Sequence, residues 1–255
     1  MLRGTPTSRP SSTLKRYALF DLDHTLLPHD TQALFCNFVL RRERWRTLLH
    51  LVFLPVAILR VFKLVPLEKA KCAFMAYLWG MPKARLMQHA RDFAETEVKS
   101  RVYPELIAEV ERHRSDGRVL VLNTASPVIY PPDIARVLGF DHCVATPLVI
   151  EDPMPLIPRL SGPNNKNEQK IPNMERDVPG LANLTAEQRA DCWSYSDSPA
   201  DTPLLAFSGH QVLVHPGSTL RQRFPDAIVL TPPRPYASKV GDMLSVVRQV
   251  LGLYS

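Results

Sequence analysis

The stretch Tyr17–Thr25, YALFDLDHT, places four apolar residues directly before two acids that are two positions apart. A short apolar run that ends in charged residues is typical of a buried strand with functional groups at its carboxyl end. Because Asp21 and Asp23 follow one strand end, their carboxylates can converge on one small site. The sequence therefore predicts a strand at Tyr17–Phe20 and a candidate reaction centre immediately after it.

Strands and helices are predicted to alternate along the rest of the chain. Helical patterns cover Pro104–Arg114 and Ile134–Leu138, and a glycine follows each of them. Alternation of this kind predicts an α/β fold with a doubly wound, mostly parallel sheet and helices on both faces. In such sheets ligands bind beyond the carboxyl ends of the strands. The further predicted strands are Val119–Leu122, Asp191–Tyr195, Gln211–Val214 and Ala227–Leu230.

A long insertion, residues 29–100, separates the first two predicted strands and contains only helical patterns. It holds 12 of the 31 Lys and Arg residues but only 6 of the 25 Asp and Glu residues, so it carries the whole net charge of +6. A local excess of this size indicates an anionic partner for this segment. We predict a catalytic core formed by residues 17–28 and 101–255, with residues 29–100 as an inserted all-helical cap.

The remaining composition places few other constraints on the protein. Residues 1–16 are polar and basic with no apolar run, which predicts a disordered leader and excludes a secretory signal. Because this basic segment contains no acidic residue, it would also fit a transit peptide. The four cysteines show neither metal-finger spacing nor a disulfide framework, so we expect buried thiols and a reducing compartment.

The chemistry suggested by Asp21 and Asp23 is phosphoryl transfer. One carboxylate can attack phosphorus and form an aspartyl-phosphate, while the other handles the proton of the leaving group. Thr124 ends a predicted strand, where a hydroxyl and backbone amides can bind a phosphoryl oxygen. Lys170, after a polar loop, could neutralise the negative charge. Asp197 and Asp201, at a turn after another strand, can hold a hard cation through oxygen ligands.

Together these residues resemble, in order, the four signature motifs of the haloacid dehalogenase superfamily, and the cap position resembles its phosphoserine phosphatase-like branch. The resemblance implies a Rossmann-like core with Asp21 as nucleophile and Asp23 as acid and base. It implies Mg²⁺ as cofactor and hydrolysis of a phosphomonoester. It further implies phosphate binding by Thr124, Ala125 and Lys170, Mg²⁺ ligands from Asp21, the backbone carbonyl of Asp23 and Asp197, and support of the metal by Asp201.

The third motif departs from the family pattern. Two lysines, Lys166 and Lys170, lie in the loop GPNNKNEQK. Relatives start a helix with the lysine several residues after such a turn, which favours Lys170. They usually keep a glycine in the turn, where this chain has Asn167, so we expect a loop of different shape.

The cap contains two apolar stretches, Leu48–Leu64 and Ala70–Met81. A single membrane crossing would separate Asp21 from Thr124 and Asp197, which must share one site. We therefore predict a monotopic helical hairpin in the membrane interface, with Trp45 and Trp79 near its boundary. The competing interpretation is a pair of cap helices buried against each other. The arginines expected at the lipid headgroups or substrate are Arg41, Arg42, Arg44 and Arg46.

The cap, with its LRR opening, apolar Leu-Pro run and LWG motif, is similar to that of the bacterial phosphatidylglycerophosphatase C family. This similarity implies a lipid phosphate substrate, such as phosphatidylglycerol phosphate, and a place at the cytoplasmic face of the membrane. We expect an anionic phosphorylated substrate and a membrane surface as partners, and no nucleic acid. The sequence identifies no protein partner.

Three alternatives stay open at this point. A cytoplasmic phosphatase of the phosphoserine or histidinol phosphate kind would share the motifs and the cap position, although a small polar substrate needs no apolar cap. A phosphomutase is not excluded by the motifs. A non-catalytic membrane-binding protein is disfavoured by the intact acids and Lys170.

Overall fold

The computed structural model describes residues 15–236 and 238–254, without the side chain of Lys239. The predicted leader, residues 1–16, lies almost wholly outside this part of the chain. Six strands form one sheet in the order β3-β2-β1-β4-β5-β6, and every neighbouring pair is parallel. The strands are β1 Tyr17–Phe20, β2 Val119–Pro127, β3 His142–Thr146, β4 Trp193–Ser196, β5 His210–Val214 and β6 Ile228–Leu230.

The quoted stretch forms the centre of this sheet. All four residues of β1 are fully buried, and Phe20 pairs with Leu122 on one side and Tyr195 on the other. Parallel sheets are covered on both faces, so a central strand is apolar throughout instead of alternating. The α/β fold with a parallel, doubly wound sheet is confirmed.

Four of the five predicted strands lie within two residues of their predicted limits, and β2 is longer than predicted. It continues to Pro127, through a register irregularity against β3 after Asn123. The sequence missed β3. This strand begins with the half-buried His142 and Cys143 at the edge of the sheet, so it lacks the unbroken apolar run of the central strands.

Helices cover the sheet, and residues 29–100 contain helices without a named strand. The helices are α1 Thr31–Arg42, α2 His50–Val61, α3 Leu67–Phe74, α4 Lys83–Asp92, α5 Pro104–Ser115, α6 Pro131–Leu138, α7 Lys170–Asp177, α8 Ala186–Ala190, α9 Thr202–Phe207, α10 Ser218–Arg223 and α11 Lys239–Val250. Short 3₁₀ segments occur at Arg44–Leu49, Met75–Leu78, Asn167–Gln169, Leu181–Asn183 and Pro199–Asp201, and a π-helical turn at Phe93–Val98.

Helix α1 anchors the insertion on the core. Asp30 caps its start by accepting a hydrogen bond from the Ala33 amide at 2.9 Å. The ring of Phe35 then packs on Phe93 and Tyr130, with ring centroids 5.1 and 4.8 Å apart. The helix that follows the reaction centre is therefore fixed to the core side of the molecule.

The C-terminal helix α11 belongs with the insertion. It packs against α1, and the His50 ring is 2.7 Å from the Val250 carbonyl at its end. Asn37 in α1 exchanges two hydrogen bonds with the backbone of Tyr254, at 3.0 and 3.1 Å. The sequence placed residues 101–255 in the core, whereas the structure attaches residues 239–254 to the helical layer.

The two apolar stretches of the cap have different environments. No residue of α2 is fully buried, and Leu51 and Val61 are 71% and 78% exposed. In contrast, Met75, Tyr77 and Leu78 are at most 1% exposed. The buried-pair interpretation is therefore wrong for α2, and the hairpin prediction is wrong for the second stretch. Within the described residues, no helix combines the length and apolar character needed to span a bilayer.

Candidate active site

Asp21 and Asp197 meet at the carboxyl end of the sheet. The Asp21 amide continues the pairing of β1 and β4 by donating to the Tyr195 carbonyl at 3.0 Å. The Thr25 hydroxyl lies 3.0 Å from Asp21 Oδ2 and 3.4 Å from Asp197 Oδ1, and it accepts from the Asp197 amide at 3.1 Å. The buried Thr25 thus joins the two carboxylates, which come from positions far apart in the chain.

Asp23 occupies the cap side of the same centre. Its Oδ1 accepts from the Thr31 amide at 2.6 Å, and its Oδ2 accepts from the Ser126 hydroxyl at 2.9 Å. These contacts join the loop after β1 to the first turn of α1 and to the end of β2. Because both oxygens are held in place, the carboxyl group of Asp23 has a fixed orientation.

Lys170, the first residue of α7, is the cation of the centre. Its Nζ lies 2.7 Å from Asp21 Oδ1 and 2.8 Å from Asp201 Oδ1, and it donates to the Asn123 carbonyl at 3.1 Å. The side chain is 1% exposed. Three ammonium protons with three oxygen partners leave no rotational freedom at Nζ. Asp201 also accepts from the Ser196 hydroxyl at 2.8 Å.

The loop that delivers Lys170 contains a residue with left-handed backbone. Asn167 has a φ of 53°, in a region that L-residues other than asparagine and aspartate rarely adopt. Asparagine adopts this conformation with little strain, and Lys170 reaches Asp21. Lys166 instead lines the outer wall of the cavity.

At the end of β2, the wall of the cavity is formed by Ala125 and Ser126. Thr124 is fully buried, and its hydroxyl accepts from the Ser126 amide at 3.1 Å. The buried Asn165 side chain donates to Asn123 Oδ1 at 2.8 Å and to the Thr124 carbonyl at 2.9 Å. The polar loop before α7 thereby fixes the backbone at the carboxyl end of β2.

Burial and charge repulsion dominate the electrostatics of the centre. Burial raises the pKa of Asp21 well above its usual range, Lys170 opposes this, and Asp201 and Asp197 add to it. Burial likewise raises the pKa of Asp23, with a further contribution from Asp30. Burial lowers the pKa of Lys170, but Asp21 and Asp201 raise it by more, so the ammonium stays charged.

The residues present fit a divalent metal ion. Burial raises the pKa of Asp197 to about 6, repulsion from Asp201 adds to the shift, and His24 and Lys170 oppose it. A hard cation coordinated by carboxylate oxygens would remove this repulsion, and Mg²⁺ prefers such ligands. Within residues 15–236 and 238–254 no group of three His, Cys, Asp or Glu side chains forms a metal site. The predicted set uses two carboxylates and a backbone carbonyl.

A cavity of about 640 Å³ opens above these residues. Its floor contains Asp21, Asp23, Lys170, Asp197 and Asp201. Its outer wall comes from helices α2, α3 and α11. The outer residues are Phe53, Ala57 and Arg60 of α2, Leu67, Ala70, Lys71 and Phe74 of α3, and Val246 and Val250 of α11.

None of the four predicted cap arginines lines this cavity in the described part of the chain. Arg41, Arg42 and Arg44 are exposed. Arg46 is buried and donates to Glu43 at 2.7 Å and to the carbonyls of Tyr77 and Trp79 at 2.9 and 2.7 Å. Arg46 therefore holds the cap together, and its prediction as a headgroup or substrate ligand is wrong.

Three polar residues of the site were missed by the sequence analysis. Thr25 joins Asp21 to Asp197, Ser126 orients Asp23, and Lys71 reaches the cavity from the cap. Thr25 lies within the quoted stretch Tyr17–Thr25, and Ser126 lies two residues after the predicted Thr124, so both positions carried a signal. Lys71 lies in an ordinary helical pattern, and only its position in space identifies it.

The comparisons with known proteins agree with this geometry. A family model described as haloacid dehalogenase-like hydrolase matches residues 18–206. The protein CicA of Caulobacter vibrioides is 28% identical over 213 residues, which cover 82% of this chain and 91% of that protein. A protein of Mycobacterium tuberculosis named probable phosphatase is 24% identical, over 86% of this chain and 77% of its own length.

Solved structures show the same architecture. A Bordetella pertussis protein of unknown function superimposes with a TM-score of 0.68 and 25% identity, over 86% of this chain and 99% of that one. A substrate-bound phosphoserine phosphatase superimposes with a TM-score of 0.57 and 14% identity, over 86% and 94% of the two chains. The family match covers most of the chain and includes Asp21, Asp23, Lys170 and Asp197. The protein therefore belongs to the haloacid dehalogenase-like hydrolase family.

Proposed function

We propose that this protein, a phosphatase of that family, hydrolyses a phosphomonoester on a lipid through an aspartyl-phosphate on Asp21, with Mg²⁺ as cofactor. The observation that carries the proposal is the composition of the cavity. Its floor holds a buried carboxylate 2.7 Å from a buried ammonium, and its outer wall is mostly apolar. Such a cavity suits a phosphate group attached to an apolar body.

The first half of the reaction forms the aspartyl-phosphate. Asp21 Oδ attacks phosphorus, the bond from phosphorus to the leaving oxygen breaks, and the electron pair goes to that oxygen. Asp23 donates its proton to the leaving oxygen, a role that its raised pKa favours. The Lys170 ammonium stabilises the charge of the phosphoryl group, whose oxygens the backbone at the carboxyl end of β2 binds.

The second half of the reaction releases phosphate. Asp23, now a carboxylate, accepts a proton from water as that water attacks phosphorus. The bond from phosphorus to Asp21 then breaks, and the Asp21 carboxylate is restored. Ser126 and the Thr31 amide keep Asp23 oriented in both steps. When bound by Asp21, Asp197 and the Asp23 carbonyl, Mg²⁺ would screen the repulsion between the anionic nucleophile and the phosphate.

Mg²⁺ is expected to raise the melting temperature more at pH 7.5 than at pH 5. The folded-state pKa of Asp197 is about 6 against an ordinary value of 3.8. The charged carboxylate therefore destabilises the metal-free fold above pH 6, by at most about 3 kcal/mol, and this cost disappears as the pH falls towards 4. Mg²⁺ removes the cost at pH 7.5, whereas protons compete with it at pH 5.

Thermal unfolding with EDTA or with Mg²⁺ at the two pH values measures this difference. Asp197→Asn is the matched variant, and it should show little response to Mg²⁺ at either pH. Activity should disappear in EDTA and return with Mg²⁺. An equal gain in melting temperature at both pH values would contradict the assignment of Asp197 as a ligand.

The lipid part of the proposal rests on the mouth of the cavity. Helices α2 and α11 each line the cavity with one side and expose apolar residues on another. We call these exposed residues the apolar rim. Large exposed apolar patches mark interaction surfaces, and exposed Arg44 and Lys63 near α2 would favour an anionic bilayer. The apolar rim comprises Leu51, Leu54, Ile58 and Phe62 of the α2 region, with Met243, Leu244, Val247 and Leu251 of the α11 region.

The protein is expected to sediment with vesicles that contain anionic lipid, and salt should weaken this binding without abolishing it. The electrostatic contribution to binding, which salt screens, comes from basic side chains. The hydrophobic contribution, which salt does not screen, comes from the apolar rim. Replacing Leu51, Leu54 and Ile58 together by serine should lower vesicle binding by at least about tenfold. Each replacement removes apolar surface that the lipid would otherwise bury. The ratio of kcat/KM for a lipid phosphate to that for its deacylated analogue should fall with it.

Ile228→Ser is the control, because Ile228 is exposed to the same 51% as Ile58 but lies on the strand β6, at the edge of the sheet. It should leave vesicle binding unchanged. A wild type that ignores vesicles and hydrolyses only soluble phosphomonoesters would identify a cytoplasmic small-molecule phosphatase. The catalytic proposal for Asp21 would then stand without the lipid substrate.

A further inference from the structure

Three cations of the cavity wall have no acid partner among the described residues. Arg60, Lys71 and Lys166 line the cavity, and within residues 15–236 and 238–254 none of them lies within 4.0 Å of a carboxylate oxygen. Lys170, in contrast, is shared by Asp21 and Asp201. The cavity therefore contains a second group of positive charges that the phosphoryl-transfer chemistry does not use.

Lys71 is the best placed of the three. It projects from α3 of the cap, and its Nζ donates to the Ala125 carbonyl at 2.5 Å and to Asn164 Oδ1 at 2.8 Å. An ammonium has three protons, so one remains for a ligand in the cavity. Burial lowers the pKa of Lys71 to about 8, while Asp23 and Asp30 oppose the shift and Lys166 adds to it. An anion bound here would stabilise the charged form.

The surroundings of Lys71 place it beside the leaving group. Its Nζ donates to the Ala125 carbonyl, and the hydroxyl of the next residue, Ser126, donates to Asp23. Asp23 is the proposed proton donor to the leaving oxygen, and it lines the same cavity as Lys71. The positive charge of Lys71 therefore lies on the leaving-group side of the transferred phosphate.

We propose that Lys71, together with Lys166 and Arg60 of the same cavity wall, forms a subsite for a second anionic group carried by the leaving group of the substrate. The inference rests on the proposed phosphatase function and refines its substrate class. A phosphodiester or a carboxylate a few bonds away from the phosphomonoester would supply such an anion. Substrates that lack it would bind through the phosphoryl group alone.

Three soluble phosphomonoesters separate these possibilities, because none carries an acyl chain. Glycerol 3-phosphate has no second anion, 3-phosphoglycerate has a carboxylate, and glycerophosphoglycerol phosphate has a phosphodiester. The wild type should show a higher kcat/KM for one of the last two than for glycerol 3-phosphate. Lys71→Met should lower that ratio by about 10- to 100-fold, the loss expected for one charge-assisted hydrogen bond. Lys71→Arg should retain most of it.

Lys69→Met is the control, because Lys69 is exposed on the same helix and should not change the ratio. A preference for the diester identifies a glycerophospholipid headgroup, and a preference for the carboxylate a soluble acid. The subsite is overturned if Lys71→Met lowers kcat/KM for all three substrates equally, which would mean that Lys71 only supports the Ala125 backbone. It is also overturned if the wild type shows no preference. Hydrolysis of none of the three, nor of a lipid phosphate, would overturn the proposed function as well.

Discussion

Asp21→Asn is expected to lower kcat by roughly 10⁴-fold or more, because the amide cannot attack phosphorus while the site keeps its shape. Loss of a nucleophile removes the covalent route altogether, so activity should fall equally for every substrate. Steady-state hydrolysis of a generic phosphate ester measures the loss. Wild-type protein treated with beryllium fluoride should form an adduct on Asp21, and the variant should not.

The fold of this variant should survive. Asparagine removes one of several mutually repelling acids, and Lys170 keeps Asp201 as a partner at 2.8 Å. Circular dichroism and the melting temperature verify this point. Asp177→Asn is the matched control, since in the described part of the chain Asp177 pairs with Arg176 and does not line the cavity. Substantial turnover by the Asp21 variant would rule out the aspartyl-phosphate mechanism.

The acids of the cavity floor could be named from the sequence because they lie at strand ends. Asp21 and Asp197 each follow a strand of the sheet, and parallel strands bring their carboxyl ends to one edge. The left-handed backbone of Asn167, with a φ of 53°, is also one that asparagine tolerates. These inferences needed only short-range patterns and the topology of the sheet.

The cap could not be predicted in the same way, because helical patterns do not fix which surface a helix faces. Leu48–Leu64 and Ala70–Met81 are both apolar, yet α2 lies on the surface and Met75–Leu78 is buried. In the sequence, Arg46 cannot be distinguished from the three arginines near it. Its hydrogen bonds to Glu43 and to two carbonyls distinguish it in the structure. The contribution of α11 to the cavity depends on its contacts with α1 and His50, which are far from it in the sequence.

Lys170→Met is expected to destabilise the metal-free protein by about 3–5 kcal/mol, the cost of leaving buried charges without their partner. Asp21 and Asp201, which are 7% and 3% exposed, would then face each other across an apolar side chain. Both would be driven towards the protonated form. Urea unfolding in EDTA at pH 7.5 measures the change in the free energy of unfolding. The loss of stability caused by Lys170→Met should be smaller at pH 5.

Adding Asp201→Asn to Lys170→Met should recover a large part of this stability, because one of the two unpaired acids becomes neutral. Activity should stay low in the double variant, since the Lys170 ammonium that stabilises the charge of the phosphoryl group is absent. Lys166→Met is the control and should cost no more than about 1 kcal/mol, as Lys166 lies in the outer wall without an acid partner in the described part of the chain. If Lys170→Met unfolds with a free energy within about 1 kcal/mol of the wild type, the buried ion pair does not stabilise the site. Lys170 would then serve phosphate binding alone.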